Sequence, residues 1–84
     1  MKVKVFDTHV KTKDGKYYHF DVLVENSTKE KVELYALEFL DSIGIKHTNI
    51  EQKACDLCHM ELAELKTAKE IENKGYSIIK MEGF

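Results

Sequence analysis

The dipeptide Asp14-Gly15 lies between two short runs rich in Val, Phe and Tyr, and this pattern limits the fold more than any other part of the chain. Gly tolerates the positive φ that a tight hairpin turn requires, and Asp is common beside it. Residues 2–10 and 16–24 are therefore predicted to form an antiparallel β-hairpin.

The register of this hairpin decides which side chains share a face. With Asp14 and Gly15 as the two central turn residues, His9 faces Phe20. Asp7 and His9 then form one polar pair and His19 and Asp21 another, on opposite faces, so only one pair can join a site without a bulge. The predicted core face consists of Val3, Val5, Tyr18, Phe20, Val22 and Val24.

A helix is predicted over residues 28–43. Ser27 and Glu30 have the capping-box spacing, and Gly44 supplies a left-handed stop. Leu34 and Leu37 fall away from the apolar stripe, and they are either ordinary exposed leucines or the contact of a homodimer. The stripe itself, which should pack on the sheet, comprises Val32, Ala36, Phe39, Leu40 and Ile43, with Tyr35 at its margin.

The remaining segments complete an α+β chain. Residues 45–52 alternate weakly and predict an edge strand, and a second helix should run from residue 60 or 61 to Lys74, before Gly75. Residues 76–81 predict a last strand, whose unbroken Ile78-Ile79 suggests that both faces are covered. The order ββα(β)αβ predicts a single two-layer domain over 1–84, with a small mixed sheet of three or four strands and two helices packed on one face.

Composition excludes several functions. The net charge is −2 and all thirteen basic residues are Lys, so no Arg fork is present to read bases or clamp phosphate, and nucleic acid is not expected as a partner. No apolar run spans a membrane and no export signal precedes the hairpin, which predicts a cytoplasmic protein with reduced thiols. No nucleophile triad or glycine-rich phosphate loop is visible, so the chain is not expected to be an enzyme.

The motif Cys55-Asp56-Leu57-Cys58-His59 carries the most chemistry in the chain. Covalent haem attachment uses these letters but belongs to exported proteins. Thiol–disulfide exchange is favoured by a following helix, but thioredoxin-like enzymes place a cis-proline beside the thiols and this chain has no proline. Two reduced cysteines packed as small apolar groups, with His59 helping to cap the helix, are the remaining alternative to a metal site.

Zinc ligation needs about four ligands, and the motif supplies two or three. The further ligands would come from the histidines and aspartates of the hairpin or from His47. Zinc is therefore the one cofactor that the sequence indicates.

A full-length resemblance adds to this interpretation. The spacing of Phe6-Asp7-Thr8, Asp14-Gly15, His19-Phe20-Asp21-Val22, Ser42-Ile43-Gly44, Cys55-x-x-Cys58-His59 and Gly75-Tyr76 through Gly83 resembles that of DUF2024, a family of short bacterial proteins of unknown function. The resemblance implies a small single α/β domain and no established activity. It matches His19 and Asp21 as well as the cysteine motif, whereas His9 and His47 are not clearly part of the pattern.

These observations predict a non-enzymatic metal-binding or thiol-based sensing and interaction module. Its expected ligands are Cys55, Cys58 and His59, supported by His19 or Asp21. A small thiol oxidoreductase and a homodimeric partner-binding domain without site chemistry are the two alternatives.

Overall fold

A computed structural model of the chain describes residues 3–54 and 65–84. In chain order the elements are β1 (Lys4–Thr12), β2 (Tyr17–Val24), α1 (Lys29–Ser42), β3 (His47–Ala54), α2 (Leu65–Lys74) and β4 (Ser77–Glu82). The α+β class and the order of the elements are as predicted. The strands form one four-stranded sheet in the order β3-β1-β2-β4.

Each of the three strand pairings in the sheet is antiparallel, so the expectation of a mixed sheet is wrong. β1 pairs with β2 and β3, and β2 pairs with β4. The physical reason is the path of α1, which carries the chain across β1 before β3 begins. β3 therefore runs parallel to β2 without being its neighbour, and β1 lies antiparallel between them.

The β1–β2 turn differs from the predicted two-residue turn. Its loop has three residues, 13–15, because the N–H of Gly15 donates to the carbonyl of Thr12 at 3.1 Å and the N–H of Thr12 donates to the carbonyl of Lys16 at 3.0 Å. Gly15 has a φ of 83°. A type I turn followed by a left-handed glycine is the usual three-residue hairpin loop.

This loop moves the register by one residue from the prediction. Asp7 now lies opposite Asp21, and His9 lies opposite His19. Because side chains alternate across a sheet, the shift reverses every side chain of β1 relative to β2. The two polar pairs, which the predicted register placed on opposite faces, share one face.

The main core lies between the sheet and α1. β1 contributes Phe6 and Val10 to it, and not the predicted Val3 and Val5. The rings of Phe20 and Phe39 pack edge to face with their centroids 5.0 Å apart, and this contact links the sheet to the helix. The other buried members are Val22, Val24, Val32, Ala36, Leu40 and Tyr76.

α2 does not join α1 on the same face, and the molecule is therefore not two-layered as predicted. Ile71 of α2 packs with Val3 and Leu23, on the face that the main core leaves open, and Val5 borders this second cluster. The register shift explains this position, since it turns Val3 and Val5 away from α1 and creates an apolar area that a second helix covers.

The ends of α1 differ slightly from the prediction. Thr28, and not Ser27, is the N-cap, since its hydroxyl accepts from the N–H of Lys31 at 3.3 Å. Ile43 is the C-cap and is 40% exposed, so it lies outside the buried stripe. Leu34 is exposed and Leu37 is half-buried; self-association through them stays a prediction.

The outer strands are β3 and β4, and β3 is the predicted edge strand. On β4, Ile78 packs against the main core, whereas Ile79 is 45% exposed, so the expectation that both faces are covered is wrong. α2 ends at Lys74 before Gly75 as predicted; its predicted start lies outside the described residues. Within the described ranges, neither helix has the length and apolar character needed to cross a bilayer.

Candidate metal centre

The register of the hairpin places three polar side chains around one point on the face opposite α1. Asp7 and His9 are two residues apart on β1, and His19 is the direct partner of His9 on β2. One side-chain atom from each lies within 4.8 Å of the other two. Two imidazole nitrogens and a carboxylate oxygen are ordinary ligands of zinc and similar divalent ions.

The carboxylate of Asp7 is the centre of this cluster. The Nε2 of His9 donates to its Oδ2 at 2.9 Å, and the Nε2 of His19 donates to its Oδ1. The two imidazole rings are stacked, with their centroids 4.2 Å apart and an angle of 12° between their planes. The same nitrogen of each ring therefore points toward one carboxylate.

The three side chains are partly buried and still reachable from solvent. The exposed fraction is 38% for Asp7, 37% for His9 and 22% for His19. Partial burial raises the pKa of Asp7, but the hydrogen bonds with His19 and His9 outweigh it and hold this pKa below its ordinary value of 3.8. The carboxylate is therefore ionised at neutral pH and available as a ligand.

Tyr17 fixes the orientation of the His9 ring. Its hydroxyl hydrogen-bonds to the Nδ1 of His9, and the two rings stack with centroids 5.7 Å apart. A phenol oxygen can donate or accept, so it suits either tautomer of the ring. Such a partner on the second ring nitrogen is the usual companion of a histidine that binds a metal through its other nitrogen. Burial, followed by the charges of Glu82 and Asp7, raises the pKa of Tyr17, which keeps the hydroxyl protonated.

Asp21 lies directly across the strand pair from Asp7. Burial is the main cause that raises the pKa of Asp21, and the negative charge of Asp7 adds to it. Two carboxylates facing each other on neighbouring strands repel. A cation bound at Asp7 would reduce this repulsion.

Charged residues on the outer strands extend the same face. On β3, Glu51 pairs with His9 and Lys53 pairs with Asp7. On β4, Glu82 pairs with His19. The face thus carries the two histidines between two glutamates, one on each outer strand.

The predicted site residues are distributed unevenly over the structure. His19 belongs to the cluster and Asp21 lies beside it, while Cys55, Cys58 and His59 fall outside the described residues. His47 pairs with Thr12 near the turn and is not a member of the cluster.

The sequence indicates both polar strand pairs, but the predicted two-residue turn places them on opposite faces of the hairpin. The length of the loop is the sequence signal that could have placed them on one face. Asp14-Gly15 also suits a three-residue loop, which brings Asp7 and His9 to the face of His19.

Comparisons with known proteins agree with this fold. The model of a family described as a domain of unknown function, DUF2024, matches residues 1–81. The chain belongs to the DUF2024 family. Among solved structures, this DUF2024 member is similar to protein NE1680 from Nitrosomonas europaea, determined by NMR, with 36% sequence identity and a TM-score of 0.83.

The match to the Nitrosomonas protein covers 99% of this chain and 98% of that chain. No curated protein matches the sequence. The comparisons therefore support the α+β fold over the whole chain and supply no activity for this DUF2024 member.

Proposed function

We propose that this chain is a metal-binding domain, and that Asp7, His9 and His19 hold one divalent ion such as zinc. The observation that carries the proposal is the convergence of the three ligand atoms within 4.8 Å. Around an ion bonded at about 2.1 Å in tetrahedral geometry, ligand atoms lie about 3.4 Å apart. The Nε2 of His9 and the Oδ2 of Asp7 are 2.9 Å apart in a hydrogen bond. They would separate by about 0.5 Å when the ion replaces the shared proton, which side-chain rotations alone can supply.

The backbone that carries these ligands supports the proposal. All three residues lie on β1 and β2, the two central strands of the sheet. Hydrogen-bonded strands hold side chains more firmly than a loop, so little ordering is needed when the ion binds. The hydroxyl of Tyr17 orients the ring of His9. Asp21, which lies opposite Asp7, adds a carboxylate near the ion.

The sequence alone suggests that the cysteine motif contributes ligands, because the motif lies outside the described residues. Ala54, the last residue of β3, pairs with Phe6, and Cys55 is the next residue in the chain. Cys55, Cys58 and His59 stay predicted ligands that would complete or compete with the cluster. The experiment therefore includes variants that remove the thiols.

Zinc binding by tag-free protein under reducing conditions tests the proposal. Isothermal titration calorimetry and elemental analysis should give close to one equivalent of zinc, and a saturating excess of about 100 times Kd should raise the free energy of unfolding by about 2.7 kcal/mol. His9→Gln and His19→Gln should each abolish this binding. His47→Gln is the matched control, because it removes a histidine of the same sheet that lies outside the cluster.

The outcomes separate the ligand sets. Loss of zinc in both cluster variants with retention in His47→Gln supports the hairpin site. Full binding in His19→Gln combined with loss in the double variant Cys55→Ser/Cys58→Ser would place the ion at the thiols and contradict the hairpin site. Absence of zinc from the wild-type protein would contradict metal binding altogether.

Tyr17→Phe probes the support of the site without removing a ligand. Partners of a metal-bound histidine typically contribute about 10- to 100-fold to metal affinity. We expect zinc affinity to fall by about that factor while one equivalent still binds. Tyr18→Phe is the control, since Tyr18 lies on the α1 side of the sheet beside the main core.

A further inference from the structure

We infer that the ion held by Asp7, His9 and His19 keeps a coordination position open on its outer side, and that this position binds a small anion such as azide or hydroxide. The inference rests on the proposed metal site and concerns the class of that site. Structural zinc sites are closed by four protein ligands, whereas sites that bind exogenous ligands have three and an open position.

The three ligands approach the ion from one direction. Asp7, His9 and His19 all project from one face of one sheet. They can therefore surround only the side of the ion that faces the strands. Their exposed fractions of 22% to 38% show that the outer side of the cluster is in contact with solvent.

The neighbouring groups on the described strands do not supply a fourth ligand. The cluster of ligand atoms within 4.8 Å of one another contains Asp7, His9 and His19 and does not extend to Asp21. The hydroxyl of Tyr17 is held by the Nδ1 of His9. Two histidines and one carboxylate with free positions are also the ligand set of metal sites that bind small molecules directly.

A recess lies beside His9. A small cavity of about 50 Å³ is lined by His9, Lys11, Asn49 and Glu51, between β1 and β3. One water takes about 30 Å³, so the recess suits one water or an anion of two or three heavy atoms. The Asn49 amide can donate to an anion there, whereas the Glu51 carboxylate opposes it.

Cobalt(II) in place of zinc makes the coordination visible. The full chain is loaded with cobalt(II), its stoichiometry is measured, and azide is then titrated while the visible absorption is recorded. We expect a saturable spectral change with azide, both in the wild-type protein and in Cys55→Ser/Cys58→Ser. Failure to bind cobalt(II) refutes the proposed metal site, whereas one bound equivalent with a spectrum unchanged by azide refutes only the open position.

The thiols provide the main competing arrangement. If Cys55 and Cys58 close the site, wild-type protein with cobalt(II) shows a thiolate charge-transfer band in the near ultraviolet and no response to azide. This pair of results overturns the inference. A response to azide without that band supports it.

Glu51→Gln tests the place of the anion. Removing an opposing charge at a partly exposed position should tighten azide binding about two- to fivefold, with cobalt(II) stoichiometry unchanged. Glu33→Gln, an exposed residue of α1, is the control and should leave azide affinity unaltered. Equal azide affinity in Glu51→Gln and wild type would show that the anion does not enter the recess and would overturn that part of the inference.

Discussion

Gly75, at the junction of α2 and β4, is the position where one added methyl group should be most informative. Its φ is 93°, and its N–H donates to the carbonyl of Ile71 at 2.8 Å. A Cβ at this position would overlap the hydroxyl oxygen of Tyr35 and lie 2.9 Å from its Cζ. The Tyr35 ring stacks on Tyr76 with centroids 4.6 Å apart, so it cannot move without loss of packing.

The cost of Gly75→Ala has two parts. An alanine in the left-handed region costs about 1–2 kcal/mol. Displacement of Tyr35 adds about 1–3 kcal/mol, the usual range for overpacking. Gly15→Ala has only the first part, because Gly15 has a φ of 83° and no atom within 4 Å of the added Cβ. We therefore expect Gly75→Ala to lower the free energy of unfolding by about 2–5 kcal/mol and Gly15→Ala by about 1–2 kcal/mol.

Urea denaturation followed by circular dichroism measures both values. Each Gly→Ala substitution also lowers the conformational entropy of the unfolded chain. This effect is the same at both positions, so it cancels in the difference between the two free energies of unfolding. In a Tyr35→Ala background, Gly75→Ala should cost no more than Gly15→Ala. Equal destabilisation of the two glycine variants in the wild-type background, or a difference that Tyr35→Ala leaves unchanged, would show that the added methyl group does not clash with Tyr35.

Three further predictions concern titration and capping. Burial, followed by the hydrogen bond to Glu38, raises the pKa of Tyr76 to about 12. The free energy of unfolding should therefore fall as pH rises from about 10 to about 12. Tyr76→Phe should remove the last step of the ultraviolet titration of the tyrosines. The pKa of Asp7 is lowered in the folded protein, so its contribution to stability is complete above pH 3.8 and is lost as pH falls below that value. Urea midpoints at several pH values should show this loss, and it should be smaller in Asp7→Asn, where the lowered pKa of Asp14 still contributes. Thr28→Ala should lower the free energy of unfolding by about 1 kcal/mol, and an equal loss in Ser27→Ala would contradict the assignment of the cap.

Much of the fold could be predicted because its signals are local. The helix that starts after Thr28 follows from side chains within one turn of each other, and its stripe of Val32, Ala36, Phe39 and Leu40 is buried as predicted. The edge strand β3 and the end of α2 before Gly75 follow from similar short-range patterns. Periodicity and capping act over a few residues, so the sequence contains all that they need.

The sequence patterns did not determine which side chains lie on each face of the sheet. Changing the loop at Gly15 from two residues to three moves every side chain of β1 to the opposite face relative to β2. That difference moved Val3 and Val5 from the main core to the face covered by Ile71. Each register buries valines on both strands, so hydrophobicity alone does not distinguish them.

The groups that could form a site can be read from the sequence: two aspartates and two histidines spaced by two residues on adjacent strands, and a cysteine motif. That Asp7, His9 and His19 meet on one face follows only from the folded hairpin. Side-chain identity is fixed by the sequence, whereas side-chain proximity depends on the register. Here the left-handed conformation of Gly15 completes the loop that sets the register.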